Sequence, residues 1–149
     1  MNIPFNIPYL TGKEIYYIQE VMRLRKFSGD GAFTKQCQNL FEESYNFKKA
    51  LLTPSCTDAL EMCAILANIS KGDEVILPSY TFVSTANPFL MRGAKLVFAD
   101  SEHKTPNLDI TKIKTPITPK TKAIVPAHYA GMACDMGSIM KNANKQPLK

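Results

Sequence analysis

Residues 53–57, Thr-Pro-Ser-Cys-Thr, form a turn of small polar residues between a short apolar run and a helix-like pattern that starts at Asp58. The N–H groups in the first turn of a helix have no acceptor within the helix, and the helix dipole favours an anion beside them. One interpretation is therefore a seat for a phosphate group. The other is an ordinary capped helix start, with Ser or Thr at the cap and Glu61 in the first turns. Taken alone, the turn favours the capped helix, because most such helices bind no ligand.

The composition is that of a soluble globular protein. Of the 149 residues, 45% are hydrophobic and 21% are charged, and this length suffices for one domain with a buried core. No apolar run approaches the roughly 18 residues that a membrane span needs. The start, MNIPFNIPYL, lacks the basic and apolar regions of a secretory signal. We therefore expect a cytoplasmic protein that does not associate with membranes.

Neither the cysteines nor the histidines have the spacing of metal ligands. There is no CxxC pair, and His103 and His128 do not stand at ligand spacing from any cysteine. In a cytosolic chain the four cysteines are expected to be free thiols, with Cys56 and Cys63 as small packing residues near one helix. The sequence therefore predicts no metal site.

The net charge of +5 comes from lysines that are scattered among Thr, Pro and apolar residues. A nucleic-acid-binding surface would need clustered charge and exposed stacking aromatics. Solvated loops and helix faces are thus the favoured interpretation, and we expect no nucleic-acid partner. A basic face would also attract a phosphorylated small molecule.

Apolar periodicity predicts two N-terminal helices and then an alternation of strands and helices. The helices are predicted over 12–27 and 33–45. The strands that follow are predicted over 49–52, 74–77, 95–99 and 123–127. The later helices are predicted over 57–69, 81–91 and 136–145, the second with a kink at Pro88, and the range 108–117 is predicted to hold a short helix.

Short apolar strands separated by helices are typical of an α/β fold with a mainly parallel sheet and helices on both faces. Ligands of such sheets bind beyond the carboxyl ends of the strands. Here those ends are 53–57, 78–82, 100–101 and 126–131. The glycine motifs GxGxxG and GxxxxGK[ST] are absent, which argues against a standard dinucleotide domain and a P-loop. His128, alone at a predicted strand end, is on this evidence more often structural than catalytic.

Three long blocks of sequence carry a resemblance to a known family: TPSCTDALEM at 53–62, GDEVILPSYTFVSTANPFLMRGAKLVFAD at 72–100 and TPKTKAIVPAHYAGMACDM at 118–136. They closely resemble the sugar-nucleotide aminotransferases of the DegT/DnrJ/EryC1/StrS type, which use pyridoxal 5'-phosphate (PLP) and have the aspartate-aminotransferase fold. The segments at 3–14 and 28–38 give a narrower resemblance, to the dTDP-4-amino-4,6-dideoxygalactose transaminases of bacterial surface-polysaccharide synthesis. The resemblance extends to about Asn144.

This resemblance implies a PLP site. The family binds the cofactor phosphate in the loop that matches Ser55, Cys56 and Thr57, through backbone N–H groups and the Thr57 hydroxyl. Phe82 matches an aromatic residue that stacks on the PLP ring; the alternative is a core aromatic beside a strand end. His128 matches a loop that lines the same pocket; the alternative is a structural hydrogen bond. The resemblance further implies a homodimer that transfers an amino group from glutamate to a dTDP-4-keto-6-deoxyhexose.

The family's two key catalytic segments do not occur in these 149 residues. The aspartate that binds the pyridine nitrogen lies in an EDAAQ-like segment, and the lysine that holds PLP as a Schiff base lies in a later SFHxxKN-like block. No residue is therefore assigned as catalytic. We expect the N-terminal part of such an enzyme, inactive alone, with a helical segment at 1–47 and a truncated PLP-binding α/β large domain at 48–149. Alternatives are a binding or decoy subunit that pairs with a full-length relative, and one half of a split enzyme.

Overall fold

The computed structural model describes residues 2–4, 6–113 and 117–144. The chain divides into two compact units, the first ending at Leu52 and the second beginning at Thr53. The first unit contains helices α1 (Glu14–Leu24) and α2 (Ala32–Tyr45). The helices of the second are α3 (Cys56–Leu66), α4 (Asn87–Met91), α5 (Ile110–Ile113) and α6 (Met136–Ala143). Its strands are β1 (Glu74–Pro78), β2 (Lys95–Ala99) and β3 (Thr121–Ile124).

The two N-terminal helices are confirmed: α1 lies within its predicted range, and α2 begins one residue earlier than predicted. Gly12 has a left-handed φ of 83° and so lies outside α1. The Glu14 carboxylate accepts hydrogen bonds from the amides of Thr11 at 2.7 Å and Gly12 at 2.9 Å. Together with the Thr11 hydroxyl, these donors lower the pKa of Glu14 to about 2. These bonds fix the turn that precedes α1, whose N-cap Lys13 makes no side-chain cap hydrogen bond.

The strand predicted over 49–52 is wrong: these residues form no strand among the described part of the chain. The Ala50 amide donates to Glu42 Oε1 at 2.9 Å, and Lys49 Nζ pairs with the same oxygen at 2.9 Å. Leu51 and Leu52 are exposed. An apolar run becomes a strand only when a neighbouring backbone completes its ladder, and here the segment's polar contacts go to a helix side chain.

The sheet has the order β2-β1-β3, and β1 pairs in parallel with both neighbours. All five residues of β1 are buried. This arrangement confirms the α/β prediction with its mainly parallel sheet. The third strand begins two residues earlier than predicted and ends at Ile124, and the register between β1 and β3 shifts by one residue near Glu74.

Helices cover both faces of the sheet, as predicted. Successive residues of a strand point to opposite faces, so Ile76 and Val75 belong to different cores. One core consists of Ile76, Ala99, Leu108, Ile113, Ile124, Cys134 and Ile139. The other consists of Ala64, Ile69, Val75, Phe89, Ala94 and Ala123. Elements α5 and α6 thus pack on one face, and α3 and α4 on the other.

The single kinked helix predicted over 81–91 is wrong. A 3-10 turn at Val83–Thr85 and the short helix α4 replace it. Pro88 lies in the first turn of α4, where an amide would have no helical acceptor anyway, so it starts a helix instead of bending one. The sequence pattern of apolar residues did not distinguish these two arrangements.

Helices α3 and α6 are shorter than predicted, and α5 is the short helix predicted within 108–117. Helix α3 lies within the predicted range 57–69 apart from its first residue, whereas α5 covers four residues of the range 108–117. Residues 114–116 and Lys145, which the predictions for α5 and α6 included, lie outside the described residues. Cys56 and Cys63 are on α3 as free thiols but are exposed, so the prediction that they are packing residues is wrong. Within the described part of the chain, no helix has the length and apolar character to cross a membrane.

A buried carboxylate ties the three strands together at their amino ends. Glu74, only 6% exposed, accepts a hydrogen bond from the Thr118 hydroxyl at 2.6 Å and from Lys95 Nζ at 3.1 Å. Glu74 begins β1, Lys95 begins β2, and Thr118 precedes β3. The Thr118 hydroxyl, and after it the Lys95 ammonium, lower the pKa of Glu74 below its ordinary value.

We predict that Glu74 makes stability dependent on acid. Since its pKa is lower when folded than when unfolded, the ionised carboxylate stabilises the fold above the ordinary glutamate pKa, and this contribution disappears as the pH falls through the lower folded value. Urea unfolding should therefore give a larger loss of unfolding free energy for Glu74→Gln at pH 7 than at pH 3. The control is Glu43→Gln, at an exposed position of α2. Equal losses at both pH values for Glu74→Gln would contradict the prediction.

Candidate cofactor site

Three loops that follow the parallel strands lie at one edge of the sheet. The loop after β1 carries Tyr80 and Phe82, the loop after β2 runs to Asn107, and the loop after β3 carries His128 and Tyr129. Because the strands are parallel, their carboxyl ends lie on the same side. Helix α3 also contacts the 83–85 turn. Helix α3, which begins next to Ser55, therefore packs against the 83–85 turn, which begins after Phe82.

Ser55 caps α3 in the way that the simpler sequence interpretation expected. Its backbone is extended, and its Oγ accepts from the Asp58 amide at 3.1 Å while donating to Asp58 Oδ2 at 2.9 Å. The Thr53 hydroxyl donates to the Ser55 carbonyl at 2.7 Å. The reciprocal partner is Asp58, three residues after the cap, and the suggestion of Glu61 is wrong because that residue lies a further turn along the helix.

The cap leaves two amides free at the same corner. The first backbone bond into α3 comes from Ala59, which donates to the Ser55 carbonyl at 3.2 Å. Among the described residues, the N–H groups of Cys56 and Thr57 have no acceptor, and neither does the Thr57 hydroxyl. Cys56 is exposed and Thr57 is half-buried. Two free amides and one hydroxyl at a helix start match the donor set that an anion needs.

Phe82 is not a core aromatic. Its side chain is 74% exposed, and the residue begins the 83–85 turn in an extended conformation with φ −69° and ψ 144°. A hydrogen bond of 2.8 Å between the hydroxyls of Thr81 and Thr85 closes this segment. The core alternative for Phe82 is therefore wrong, and its ring is available for stacking on a flat ligand.

His128 makes a structural hydrogen bond within its own loop. Its Nδ1 accepts from the Cys134 amide at 3.0 Å. The Cys134 thiol donates to the Ala127 carbonyl at 3.2 Å, and burial raises the pKa of this thiol. Because Nδ1 is an acceptor, the proton of the neutral imidazole is on Nε2. The exposed edge of His128 can thus donate one hydrogen bond to a ligand.

Two tyrosines join the loops of neighbouring strands. The hydroxyls of Tyr80 and Tyr129 are 3.4 Å apart, and their ring centroids are 5.1 Å apart. The neighbouring Tyr80 phenol raises the pKa of Tyr129. Neither tyrosine was among the predicted site residues, although each lies in a segment predicted to follow a strand, 78–82 or 126–131, which was the available signal.

Asn107 is a further residue that the sequence did not single out. It is 4% exposed and lies at the end of the loop after β2. Its Oδ1 accepts from the Tyr129 amide at 3.0 Å, and its Nδ2 donates to the Met132 carbonyl at 3.1 Å. These partners are more than twenty residues away, so no local pattern indicates the contact.

Comparison with known proteins decides the family. Residues 8–149 match the family described as DegT/DnrJ/EryC1/StrS aminotransferases. The chain belongs to this family. The resemblance seen in the three sequence blocks is thereby confirmed at the level of the family.

Members of the DegT/DnrJ/EryC1/StrS family with curated names match almost the whole chain. The spore coat polysaccharide biosynthesis protein SpsC of Bacillus subtilis is 36% identical over 146 residues, which cover 98% of this chain and 37% of SpsC. The GDP-perosamine synthase of Caulobacter vibrioides is 37% identical over 141 residues, which cover 95% of this chain and 38% of the synthase. The chain therefore spans less than two fifths of the length of these relatives.

Solved structures confirm the fold class. The aminotransferase from Psychrobacter cryohalolentis superposes with a TM-score of 0.88 at 33% identity, over 97% of this chain and 37% of that protein. Other solved neighbours hold the cofactor: one contains hydrated PLP and another contains pyridoxamine phosphate (PMP). PLP is thus the cofactor of the family's structures, and the fold of this chain is part of the PLP-dependent aminotransferase fold.

The Ser55 corner fits the phosphate of such a cofactor, with one restriction. The only hydroxyl proton of Ser55 is donated to Asp58, so Ser55 can offer a ligand only its backbone N–H. Among the described residues, no acceptor is bound by the amides of Cys56 and Thr57 or by the Thr57 hydroxyl. The donor set is therefore centred on residues 56 and 57.

The cap predicts a measurable stability effect. Ser55→Ala removes the acceptor of the Asp58 amide and should lower the unfolding free energy by about 1 kcal/mol, with a range of roughly 0.5–2 kcal/mol. Ser55→Gly should lower the unfolding free energy by only about 0.3 kcal/mol. Urea denaturation monitored by circular dichroism provides the measurement. Ser28→Ala, at an exposed position, is the control and should change stability by less than about 0.5 kcal/mol. If Ser55→Ala lowers the unfolding free energy no more than Ser28→Ala does, the cap contributes nothing to stability.

Proposed function

We propose that this chain supplies the phosphate-binding part of the cofactor site in a PLP-dependent sugar-nucleotide aminotransferase. The observation that carries the proposal is the pair of free amides at Cys56 and Thr57, beside a cap that fixes the helix start. A doubly charged phosphate monoester is an anion that free helix-start amides are suited to bind. Family membership of residues 8–149 supports PLP as the molecule that carries this phosphate.

The proposed roles of the site residues follow from their environments. Ser55, Cys56 and Thr57 bind the phosphate, the last with its hydroxyl as well as its amide. The exposed ring of Phe82 stacks on the pyridine and excludes water from that face. His128 offers Nε2–H to the cofactor while Nδ1 remains bonded to Cys134. When bound, PLP would supply the electron sink for amino transfer; these residues hold and orient it.

For the complete reaction we propose amino transfer from glutamate to a dTDP-4-keto-6-deoxyhexose. The narrower resemblance of the segments at 3–14 and 28–38 supports this substrate. A GDP-linked 4-keto sugar is the second candidate, because a GDP-perosamine synthase is 37% identical over 95% of the chain. We further propose a cytoplasmic homodimer in which residues 1–47 form a helical segment and 48–149 belong to the PLP-binding large domain.

We propose that the 149 residues alone bind the cofactor but do not catalyse amino transfer. No lysine among them stands in the context of the family's SFHxxKN-like block, and the EDAAQ-like segment does not occur. The described site therefore has residues for holding the phosphate and the ring face of the cofactor, but no assigned covalent anchor. The family match does not favour the alternative of a non-catalytic decoy subunit.

PMP is the probe that tests phosphate binding. Unlike PLP, its amine cannot condense with surface lysines, so its binding reports the non-covalent site. We expect calorimetric titration to give tighter binding of PMP than of pyridoxamine, with inorganic phosphate competing. Thr57→Val should weaken PMP binding about tenfold, because it loses one hydrogen bond to a charged group. Thr57→Ser keeps the hydroxyl and should bind like the unmodified chain.

The outcome that contradicts phosphate binding is equal affinity for PMP and pyridoxamine. Equal binding by Thr57→Val and Thr57→Ser would restrict the donor set to the backbone amides.

Turnover tests the second half of the proposal. The chain is incubated with PLP, glutamate and either dTDP-4-keto-6-deoxyglucose or GDP-4-keto-6-deoxymannose, and amino sugar is measured by mass spectrometry. We expect no product above a control without protein, because no lysine of the sequence stands in the context of the family's SFHxxKN-like block. Product from the dTDP sugar would refute inactivity but support the substrate. Product from the GDP sugar alone would refute both.

A further inference from the structure

We propose that Asn107 is a positioning residue that clamps a strained turn at the ligand edge of the sheet. The turn is Tyr129–Gly131, which directly follows His128. The inference rests on the proposed function, because it assigns Asn107 to the same cofactor site. It adds a residue that does not itself touch the cofactor and acts through the turn.

One side-chain amide bonds both ends of this turn. Asn107 Oδ1 accepts from the Tyr129 amide at 3.0 Å, and Nδ2 donates to the Met132 carbonyl at 3.1 Å. The side chain is almost completely buried, at 4% exposure. Both polar functions of the amide are thus used on a segment that begins 22 residues later in the chain. Asparagine suits this task because it combines an acceptor and a donor, whereas an aspartate would set a carboxylate oxygen against the Met132 carbonyl.

The clamped turn has an unfavourable backbone. Ala130 has φ 51° and ψ 36°, the left-handed conformation, which costs a residue with a Cβ roughly 1 kcal/mol or more. Gly131 follows with φ 77°, so two successive residues are left-handed. Such a conformation persists when its surroundings hold it. The Met132 amide closes the turn on the Tyr129 carbonyl at 3.0 Å, and Asn107 holds it from outside.

The turn is also where the loops of all three strands meet. Tyr80, after β1, contacts Tyr129 through its ring and hydroxyl. Asn107 reaches the turn from the loop after β2. His128 precedes it after β3 and is bonded to Cys134 beyond it. Loosening the turn would therefore move His128 and Tyr129, the side chains that this loop presents at the ligand edge.

Hydrogen exchange and PMP binding together test the clamp. Asn107→Asp keeps the acceptor for the Tyr129 amide but loses the donor to Met132, and Asn107→Ala loses both. We expect exchange of the Tyr129 amide to rise about tenfold in Asn107→Ala, for one lost hydrogen bond, and less in Asn107→Asp. PMP affinity should fall about threefold to tenfold in both. Asn39→Asp, at an exposed position of α2, should change neither quantity.

Ala130→Gly provides a rescue that a general loss of stability would not give. Glycine adopts the left-handed conformation without a penalty, so the turn then depends less on its clamp. In the Ala130→Gly background, Asn107→Asp should reduce PMP affinity by a smaller factor than it does in the unmodified chain. An equal factor in the two backgrounds would overturn the link between the clamp and the strain.

The inference and the proposed function fail in different ways. If the unmodified chain prefers PMP to pyridoxamine but Asn107→Asp binds PMP with unchanged affinity, the positioning role is overturned and the proposed function stands. If the unmodified chain shows no such preference, the proposed function fails, and the positioning role fails with it. Unchanged Tyr129 exchange in both Asn107 variants would overturn the clamp whatever the PMP result. Should Asn107→Ala fail to fold, Asn107→Asp and Ala130→Gly decide the question.

Discussion

The parallel pairing of β1 with both of its neighbours is the constraint on which the candidate site depends. It puts the carboxyl ends of three strands on one side, so that residues up to fifty positions apart share one edge. Glu74 secures the opposite ends of the same strands with bonds to Lys95 and to Thr118. A buried carboxylate would be costly without such partners. The sheet is thus held at its amino edge by charge and hydrogen bonding, which leaves the loops at the carboxyl edge free to serve a ligand.

At the start of α3, the observed cap and the proposed anion site use different groups of one turn. Ser55 gives its hydroxyl to Asp58 and accepts the Asp58 amide, which satisfies one of the free donors of the helix start. The amides before it, at Cys56 and Thr57, remain available among the described residues. The Asp58 carboxylate would repel a nearby phosphate, although its Oδ2 accepts one hydrogen bond from the Ser55 hydroxyl. The two sequence interpretations of this segment therefore describe different atoms of the same structure.

The local pattern of apolar and turn residues predicted β1 and β2 well. It failed for segments whose structure depends on contacts with residues far away in the sequence. The strands β1 and β2 are short apolar runs between turns, and the structure places them within one residue of the prediction. The run at 49–52 is also short and apolar but has no ladder, because a strand depends on a neighbour that composition does not reveal. Asn107 was missed for the same reason: its role depends on a turn more than twenty residues away. Family resemblance, which draws on the whole pattern, indicated Phe82 and His128 where periodicity alone left them as core and structural residues.

Three side chains in the loop after β3 carry a proton that they can donate in a hydrogen bond. Within the described residues, His128 uses Nδ1 to accept an amide and so carries its proton on Nε2 when neutral. The Tyr80 phenol raises the pKa of Tyr129, and burial raises that of Cys134, so both keep their protons near neutral pH. Each of these groups can donate a hydrogen bond, through the Nε2–H of His128, the phenol of Tyr129 and the thiol of Cys134. Under the proposed function, the loops after β1, β2 and β3 bind the anionic cofactor and orient its ring, and no residue of these loops is assigned to move protons.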